Sequence, residues 1–513
     1  MLITSILKDL RLGQSLISIE FLTFLAATVI AYYSLARRCQ WQFLLAVSCL
    51  YYALNNRWEY LTLLAAVIGI NCVAGQCIQN ASRKGVGRFY LGLSIGLNSA
   101  ILLVFKYGHF FGTPLDSTGI TLSSIGRSVA APLGISYFTF KAISYVIDVH
   151  RAKVKCEKNF GKFALFMSFF LEISAGPIDR ARDLLPQMDL VKTFLEKEAV
   201  SGLRLLLWGF FKKLVVANNL APYITQIFGA PRDHSGTALL LGTYFVAFQI
   251  YCDFSGYTDI VRGAGRLLGY RLPENFSSPY LSRSISEFWT RWHITLSTWL
   301  RDYLFLPLSF FFSRRIKSDS VLFLESNVLI YFSSALVTFL IAGIWHGSAW
   351  TFIVWGLLHG FYLSFSNLTR PLRKRLRKTF PLHRRYPTAV AVLQIFICFH
   401  LVSFSWVFFR ASSLKDALYI VRHLVPKHIG SFVRGCLSSA AQFEFGTSKY
   451  AFIILCGLLV LWIIFEIHQK GMEIPRFLGS QKRILRWTAY YLVLLAILFF
   501  GEFGMKEFIY VQF

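Results

Sequence analysis

Two histidines lie in apolar, tryptophan-rich stretches of the chain, where a membrane helix would ordinarily carry leucine. His346 occurs in "IAGIWHGSAW" and His293 in "EFWTRWHITLSTWL". A neutral imidazole, with an ordinary pKa of ~6.5, can accept a proton from a hydroxyl group as that oxygen attacks an acyl carbonyl. The same side chain can also relay protons in a transporter. Residue types and spacing alone leave both chemistries open.

Two carboxylates occur near the end of another apolar run. Asp253 and Asp259 belong to the stretch "IYCDFSGYTDI". Carboxylates inside a membrane are costly and usually face a water-filled cavity or a charged partner. They either line a site or pair with Arg262 or Arg266 and cap a re-entrant helix that is broken at Gly256. The glycines of the following "GAGRLLG" indicate close helix packing rather than a dinucleotide fingerprint.

The composition is that of a membrane protein. The chain has 513 residues, of which 55% are hydrophobic and only 15% are charged, and its mean hydropathy is +0.52. Soluble chains rarely combine so few charges with so much apolar surface. We therefore predict an all-α polytopic membrane protein with about 10–13 transmembrane helices plus re-entrant or interfacial helices. The charge-free runs cover residues 21–36, 40–56, 61–82, 89–105, 234–252, 328–345, 349–369, 387–409, 451–465 and 487–501.

The basic residues orient the chain rather than mark a nucleic-acid site. The net charge is +27, and residues 370–385 carry eight Lys or Arg and no acid. In a membrane protein such an excess is the positive-inside bias of cytoplasmic loops beside anionic headgroups. The bilayer is the expected partner, and no nucleic acid is. Residues 1–17 are predicted to form an amphipathic surface helix before the first span, not a cleaved signal.

A helical hairpin is predicted to position His346. If the basic loops 314–317 and 370–385 are both cytoplasmic, the two apolar runs between them form a hairpin with His346 at the opposite turn. Gly343 and Gly347 allow a close backbone approach or an unwound turn there. The more distant His359 and His400 fit packing or hydrogen-bonding roles better.

The segment 284–308 is predicted to position His293. Five large apolar residues recur at helical spacing, and Glu287 lies four residues before Arg291, so one aromatic face and one ion pair are expected. The charged pair "RD" at 301–302 does not suit a simple span, which favours an interfacial or re-entrant helix. The face comprises Phe288, Trp292, Leu296, Trp299 and Tyr303.

Metal and nucleophile signatures are missing from the sequence. The nine cysteines are scattered without a CxxC pair, so no metal site is predicted. Ser348 lies two residues from His346 but outside any GxSxG elbow, so it is not predicted to be a nucleophile. No repeat or linker divides the chain, and residues 1–513 are predicted to form one membrane domain with the site motifs concentrated in 244–366.

Four long motifs stand in one order along the chain: "IYCDFSGYTDI", "LPENFSSPYL", "EFWTRWHITLSTWLRDYLFLPL" and "GIWHGSAWTFIVWGLLHG". In these motifs the chain resembles the membrane-bound O-acyltransferase family, specifically its bacterial alginate O-acetylase branch. The resemblance extends to "PLGISYFTFKAISYVIDV", "WVFFRASSLKDAL" and the terminal "FIYVQF". D-alanyl transferases of teichoic acid modification share the RWHI-type helix but differ from this chain in the "DYLFLPL" and "WHGSAWTF" motifs.

The resemblance implies a fold and roles for individual residues. The family fold is a helix bundle around a central tunnel, and the family's catalytic histidine falls on His346. The second functional position falls on His293, where many eukaryotic members have asparagine or aspartate. Further tunnel-lining positions are expected at Asp253, Asp259, Trp292, Trp345, Arg291 and Ser348.

The resemblance also implies a reaction. The expected activity is O-acetylation of an extracytoplasmic polysaccharide, an alginate-like exopolysaccharide or a cell-wall glycan such as peptidoglycan, with acetyl-CoA as the cytoplasmic donor. A secreted or membrane-anchored SGNH-type acetyltransferase is the expected protein partner, and the bacterial inner membrane the expected location. D-alanyl transfer to a teichoic acid-type polymer is the alternative within the family, and a proton-coupled transporter is the alternative of another class.

Overall fold

The protein is helical almost throughout the part of the chain that its structure describes. The computed structural model describes residues 16–115, 131–321, 324–424, 449–469 and 471–503. Two strands of two residues each, Ser320–Val321 and Leu324–Glu325, pair antiparallel. The predicted all-α class is therefore confirmed. The predicted surface helix at 1–17 and the terminal "FIYVQF" lie almost wholly outside the described residues.

The chain forms two compact units. The first draws on Met1–Leu207 and Tyr257–Glu274, and the second on Trp208–Gly256 and Asn275–Gly504. Both histidines of interest belong to the second unit. The assignment of residues 1–513 to one membrane domain stays a prediction.

Buried polar contacts between helices organise the first unit. Asn71 and Asn98 exchange hydrogen bonds of 3.1 and 3.0 Å, and Lys141 forms a 2.8 Å ion pair with Glu172. Such partners remove the cost of burying polar groups in an apolar bundle. The helices of this unit are Ile19–Ser34, Gln40–Asn55, Glu59–Gln79, Lys84–Leu115, Ile135–His150, Phe160–Ser168, Ala181–Asp189 and most of Glu196–Phe210, with a 3₁₀ turn at Arg37–Cys39.

The second unit contains most of the remaining helices. Two of them, Phe211–Ala217 and Arg301–Phe305, have π-type hydrogen bonding, which often occurs at functional sites. The α-helices are Asn218–Gly229, most of Gly236–Leu267, Ile285–Arg291, Ile294–Leu300, Leu306–Arg315, Ser326–His346, Trp350–Leu368, Arg370–Thr379, Leu382–Arg385, Pro387–Arg410, Leu414–His423, Lys449–Gln469, Ile474–Ser480 and Arg483–Phe500, with 3₁₀ turns at Pro231–Asp233 and Pro279–Leu281.

Several helices have the length and apolarity to cross a bilayer, as expected of a multi-pass membrane protein. Within the described ranges six helices qualify, and Ile19–Ser34 and Cys456–Gln469 are shorter apolar helices. The predicted number of about 10–13 spans stays a prediction. The six are Glu59–Gln79, Lys84–Tyr107, Gly236–Leu267, Ser326–His346, Pro387–Arg410 and Arg483–Phe500.

The helix that carries both aspartates is continuous, which corrects the predicted break at Gly256. It runs over 32 residues from Gly236 to Leu267. Gly256 instead allows close packing, because a Cβ there would lie 2.9 Å from the carbonyl oxygen of Gly209. Gly263 packs in the same way, with 2.7 Å to the carbonyl oxygen of Gly202. The helix packing predicted for "GAGRLLG" is therefore confirmed at Gly263, whereas Gly269 lies beyond the helix end with a φ of 78°.

The segment 284–308 is broken, where its aromatic spacing predicts one helix. Helix Ile285–Arg291 ends at Trp292, and helix Ile294–Leu300 begins after His293. The break falls at His293, whose φ of 41° and ψ of 56° are left-handed. Spacing could not reveal this turn, because the residues on either side keep a helical period across it.

The predicted hairpin is present and is closely packed. Helices Ser326–His346 and Trp350–Leu368, here called the histidine hairpin, are joined by three residues. Cβ atoms added at Gly343 and Gly356 would lie 2.5 Å from the carbonyl oxygen of Phe352 and 2.2 Å from that of Phe339. Glycine therefore lets the two backbones touch, and His346 is the last helical residue before the turn.

Gly356→Ala is expected to destabilise the histidine hairpin. The added methyl group meets backbone rather than a movable side chain, so the cost should reach the upper end of the roughly 1–3 kcal/mol typical of overpacking. The measurement is the thermal unfolding midpoint of the purified protein in detergent. Gly69→Ala is the matched control, since nothing lies within 4 Å of a Cβ at that helical glycine. Equal midpoints for the two variants would contradict this description of the hairpin.

Candidate active site

His346 is enclosed by aromatic rings. Its imidazole is 3% exposed, and its ring centroid lies 4.7 Å from that of Trp345, 4.9 Å from Trp355 and 5.2 Å from Phe409, all edge-on. The histidine hairpin supplies the two tryptophans, and helix Pro387–Arg410 supplies Phe409. The three rings keep bulk water away from the imidazole.

Asn275 forms a hydrogen bond with His293 and with the residues that follow it. Its Nδ1 lies 3.2 Å from Oδ1 of Asn275, and the same oxygen accepts the backbone N–H and the hydroxyl of Thr295 at 3.1 and 2.8 Å. Because this amide oxygen is an acceptor, His293 donates from Nδ1. The Nε2 atom then carries the lone pair of the neutral ring. Asn275 also accepts the N–H of Ile294 through its carbonyl oxygen, at 3.0 Å, and so fixes the left-handed turn.

Buried indoles connect the surroundings of the two histidines. Trp292, which precedes His293, has its ring 5.0 Å from Trp406. Trp406 stacks on Trp355 at 5.9 Å, and Trp355 contacts His346. These three tryptophans, here called the indole wall, are each at most 1% exposed. The structure thus brings His293, Trp292, Trp345 and His346 into one continuous aromatic layer of the second unit.

Two tryptophans of the indole wall have a buried hydrogen-bond donor. Within the part of the chain that the structure describes, the indole N–H groups of Trp355 and Trp406 have no hydrogen-bond acceptor. A buried donor normally has a partner, and leaving it unpaired costs about 1–3 kcal/mol. Such a donor beside a candidate base is available to a ligand.

The other membrane histidines are structural, as predicted. His359 is fully buried, accepts the indole N–H of Trp289 on Nδ1 at 3.3 Å and contacts Ser405 Oγ through Nε2 at 2.8 Å. His400 donates from Nδ1 to the carbonyl of Phe396 at 2.7 Å and accepts the Tyr244 hydroxyl at 2.9 Å. Both rings use both nitrogens in fixed hydrogen bonds.

The aspartates are paired, although not both with the predicted partners. Asp259 lies 3.4 Å from Arg262 in a buried pair, which is one of the two predicted partners. Asp253 is 2% exposed and pairs with Lys213, whose neighbour Lys212 donates to Ser255 at 2.9 Å. Both lysines come from the π-type helix Phe211–Ala217. Their inward direction was missed because "FFKKLVV" reads as the polar end of a span.

The remaining predicted lining residues lie in different surroundings. Arg291 forms the expected pair with Glu287, at 2.7 Å, with the arginine side chain 33% exposed. Ser348 lies in the turn of the histidine hairpin and is exposed, whereas Trp345 beside it is buried. The predicted tunnel-lining roles stay predictions for all six residues: Asp253, Asp259, Trp292, Trp345, Arg291 and Ser348.

One further buried carboxylate was missed by the sequence reasoning. Glu466 lies in the apolar helix Lys449–Gln469 and accepts the Tyr251 hydroxyl at 2.5 Å. The Tyr251 ring packs against Trp292 at 6.1 Å and Trp462 at 5.2 Å. A lone acid within an apolar run is a recognisable sequence signal, so Glu466 could have been found.

Comparison with known proteins shows the family of the chain. The model of the membrane-bound O-acyltransferase family matches residues 133–409, more than half of the chain and both histidines. The chain is 36% identical over 393 residues to the probable alginate O-acetylase AlgI of Azotobacter vinelandii, covering 75% of this chain and 72% of that protein. It is 33% identical over 412 residues to the peptidoglycan O-acetyltransferase of Helicobacter pylori, covering 74% and 73%.

A more distant group of relatives acts in D-alanyl transfer. The teichoic acid D-alanyltransferase of Bacillus subtilis is 29% identical over 281 residues, which cover 54% of this chain and 68% of that protein. The order of similarity thus places the acetyltransferases nearer than the alanyltransferase. With the matched model spanning both histidine-bearing segments, the chain belongs to the membrane-bound O-acyltransferase family.

Proposed function

We propose that the protein transfers an acetyl group from a cytoplasmic donor to a hydroxyl group of an extracytoplasmic polysaccharide. The observation that carries this proposal is the enclosed His346 at the end of the closely packed histidine hairpin, joined to His293 by the indole wall. The names of the nearer relatives, alginate and peptidoglycan O-acetyl transfer, support an acetyl group and a glycan acceptor. D-alanyl transfer is less favoured because the alanyltransferases match over less of the chain.

His346 is proposed as the general base. It removes the proton from the acceptor hydroxyl while that oxygen attacks the acetyl carbonyl carbon. The new C–O ester bond forms as the bond from the carbonyl carbon to the donor sulfur breaks, and the proton leaves with the thiol. Acetyl-CoA is the proposed thioester donor, and coenzyme A leaves as the free thiol. The dry aromatic surroundings limit competing attack by water.

The groups around the base are proposed to hold the reacting carbonyl. Trp355 lies against His346, and its N–H is a buried donor without an acceptor among the described residues. A donor fixed in an apolar site stabilises negative charge on the carbonyl oxygen during attack. His293, with its Nδ1–H committed to Asn275, orients the acceptor or the acyl group through Nε2.

The remaining parts of the proposal concern access and partners. A tunnel through the bundle would bring the donor to His346 from the basic side of the membrane and release the acetyl group on the other side. The bacterial inner membrane is the proposed location, and a secreted or anchored SGNH-type acetyltransferase is the proposed protein partner. The basic segment 370–385, with eight Lys or Arg, supports a cytoplasmic position for that loop.

His346→Ala is expected to abolish acetylation of exported glycan, because general-base catalysis contributes roughly 10²–10⁴-fold. The measurement is ester-linked acetate on the polysaccharide from cells with matched protein levels. His400→Gln, at another membrane histidine, is the control and should retain activity. Full acetylation in the His346 variant would refute the base assignment, and histidine-dependent proton flux without acetylated product would favour the transporter alternative.

Trp355→Phe is expected to lower kcat by roughly 100-fold, since loss of one donor to a developing oxyanion typically costs that much. Phenylalanine keeps an aromatic ring in the indole wall and removes only the N–H group and the second ring. Trp462→Phe is the matched control, because Trp462 has a buried indole N–H of the same kind away from His346. A fall in protein stability without a selective fall in kcat would show that Trp355 is only a packing residue.

His293→Asn is expected to retain measurable transfer, whereas His293→Ala is not. Asparagine tolerates the left-handed backbone of this position and offers a polar side chain. Alanine offers neither. The comparison uses acetyl transfer at equal protein level, together with the unfolding midpoint of each variant. Equal activity of the two variants would contradict an orienting role for the side chain.

A further inference from the structure

The first unit contains a cavity with a marked excess of positive charge. Its volume is about 430 Å³, within the usual range of ligand sites. Lys192, Arg266 and Arg271 line it, with Glu198 as the only acid among the lining residues. The cavity is separate from the histidines, which belong to the other unit, and the proposed reaction makes no use of it.

Each cation of this cavity has a defined contact with a neighbouring side chain. Arg271 contacts Glu198 at 2.6 Å, Arg266 donates to the hydroxyl of Ser201, and the Lys192 ammonium lies 4.8 Å from the ring centre of Tyr270. Burial and the neighbouring Arg271 lower the pKa of Lys192. Glu198 is already paired with Arg271, and Lys192 adds a further positive charge beside that pair, so the cavity is suited to an anion.

Two side-chain amides hold the backbone of two cations that line the cavity. Gln40 donates to the carbonyl of Lys192 and accepts its N–H, both at 3.0 Å. Gln187 does the same for Arg271, at 3.1 Å to its carbonyl and 2.9 Å from its N–H. These paired hydrogen bonds hold the backbone of both cations in place. A site whose cations are already positioned loses less entropy when it binds a ligand.

The lining also contains apolar side chains that face outward. Leu190, Val191, Phe194 and Leu195 are 63%, 55%, 57% and 57% exposed, and all four line the cavity. They lie in pairs on either side of Lys192 and Thr193 in one short connecting segment. Exposed apolar groups beside basic groups are typical of a segment at the boundary between headgroups and acyl chains.

A second, smaller basic cavity shares part of this lining. It has a volume of about 180 Å³ and has Leu190 and Val191 in common with the first. Its lining includes Arg37, Arg38 and Lys162, of which Lys162 pairs with Asp189. The apolar pair at 190–191 thus lines two cavities that both contain cations.

We propose that the larger cavity binds the phosphate of an anionic phospholipid, with Lys192 and Arg271 on the phosphate and the exposed apolar residues against the acyl chains. A soluble phosphate ester would use the cations but leave the apolar residues in water. A neutral lipid would cover the apolar residues but leave the excess positive charge uncompensated. Only a lipid that carries a net negative charge satisfies both halves of the lining. This site is independent of the proposed acetyl transfer.

The test is lipid binding by the full-length protein, delipidated in a neutral detergent and titrated with phosphatidylglycerol or phosphatidylcholine of the same acyl chains. Native mass spectrometry counts the bound lipid. The wild type should prefer phosphatidylglycerol. In the variant Lys192→Gln/Arg271→Gln this binding should weaken on the order of 25-fold, since each basic group near an anionic lipid contributes roughly fivefold in affinity.

The matched control is Arg83→Gln/Lys197→Gln, which removes two exposed cations of the same unit that do not line the cavity; it should bind as the wild type does. If the unfolding midpoint of the double variant falls, the single variants at Lys192 and Arg271 replace it. Each single variant should bind phosphatidylglycerol roughly fivefold more weakly than the wild type. Equal binding of the two lipids by the wild type, or unchanged preference in the cavity variants, would overturn the proposal. Displacement of phosphatidylglycerol by equimolar glycerol phosphate would assign the cavity to a soluble phosphate ester instead.

Discussion

Every polar group inside this bundle has to find its partner in the protein, because lipid offers none. That constraint accounts for most of the local structure. Asn71 and Asn98 bond to each other, Lys141 meets Glu172, and Lys213 meets Asp253. The two structural histidines use both ring nitrogens. The buried indole N–H groups of Trp355 and Trp406 are among several polar groups for which the described residues supply no hydrogen-bond partner, and these two lie in the wall beside His346.

Departures from regular helix occur at His293 and beside the buried carboxylate of Asp253. The left-handed turn at His293 interrupts a segment that would otherwise continue as a helix. Asn275 accepts hydrogen bonds from His293 Nδ1 and from the backbone N–H groups of Ile294 and Thr295 at that break. The π-type helix Phe211–Ala217 directs two consecutive lysines toward Asp253 and Ser255. A strained or widened turn persists only when neighbouring contacts hold it, and here named hydrogen bonds do so.

The sequence predicted the long-range features better than the local ones. The apolar runs indicated the helices, and the two basic loops indicated the histidine hairpin, because length and charge near a membrane leave few arrangements. The break at His293 was not predictable, since its flanking aromatics keep a helical period. The pairing of Asp253 with Lys213 was also missed, because the π-type turn rotates Lys213 inward and periodic patterns assume a regular helix. Family motifs identified His346, but its walls, Trp355 and Phe409, come from packing that only coordinates reveal.

The closeness of the two backbones in the histidine hairpin affects how the site can operate. Helices in contact through Gly343 and Gly356 cannot slide past each other without backbone collision, and the imidazole at their end has rings on three sides. The imidazole proposed as the base is therefore held in one position. In the proposed reaction, any motion during turnover has to bring donor and acceptor to a fixed nitrogen, so the timing of the cycle would depend on the movement of substrates and not on a rotation of this side chain.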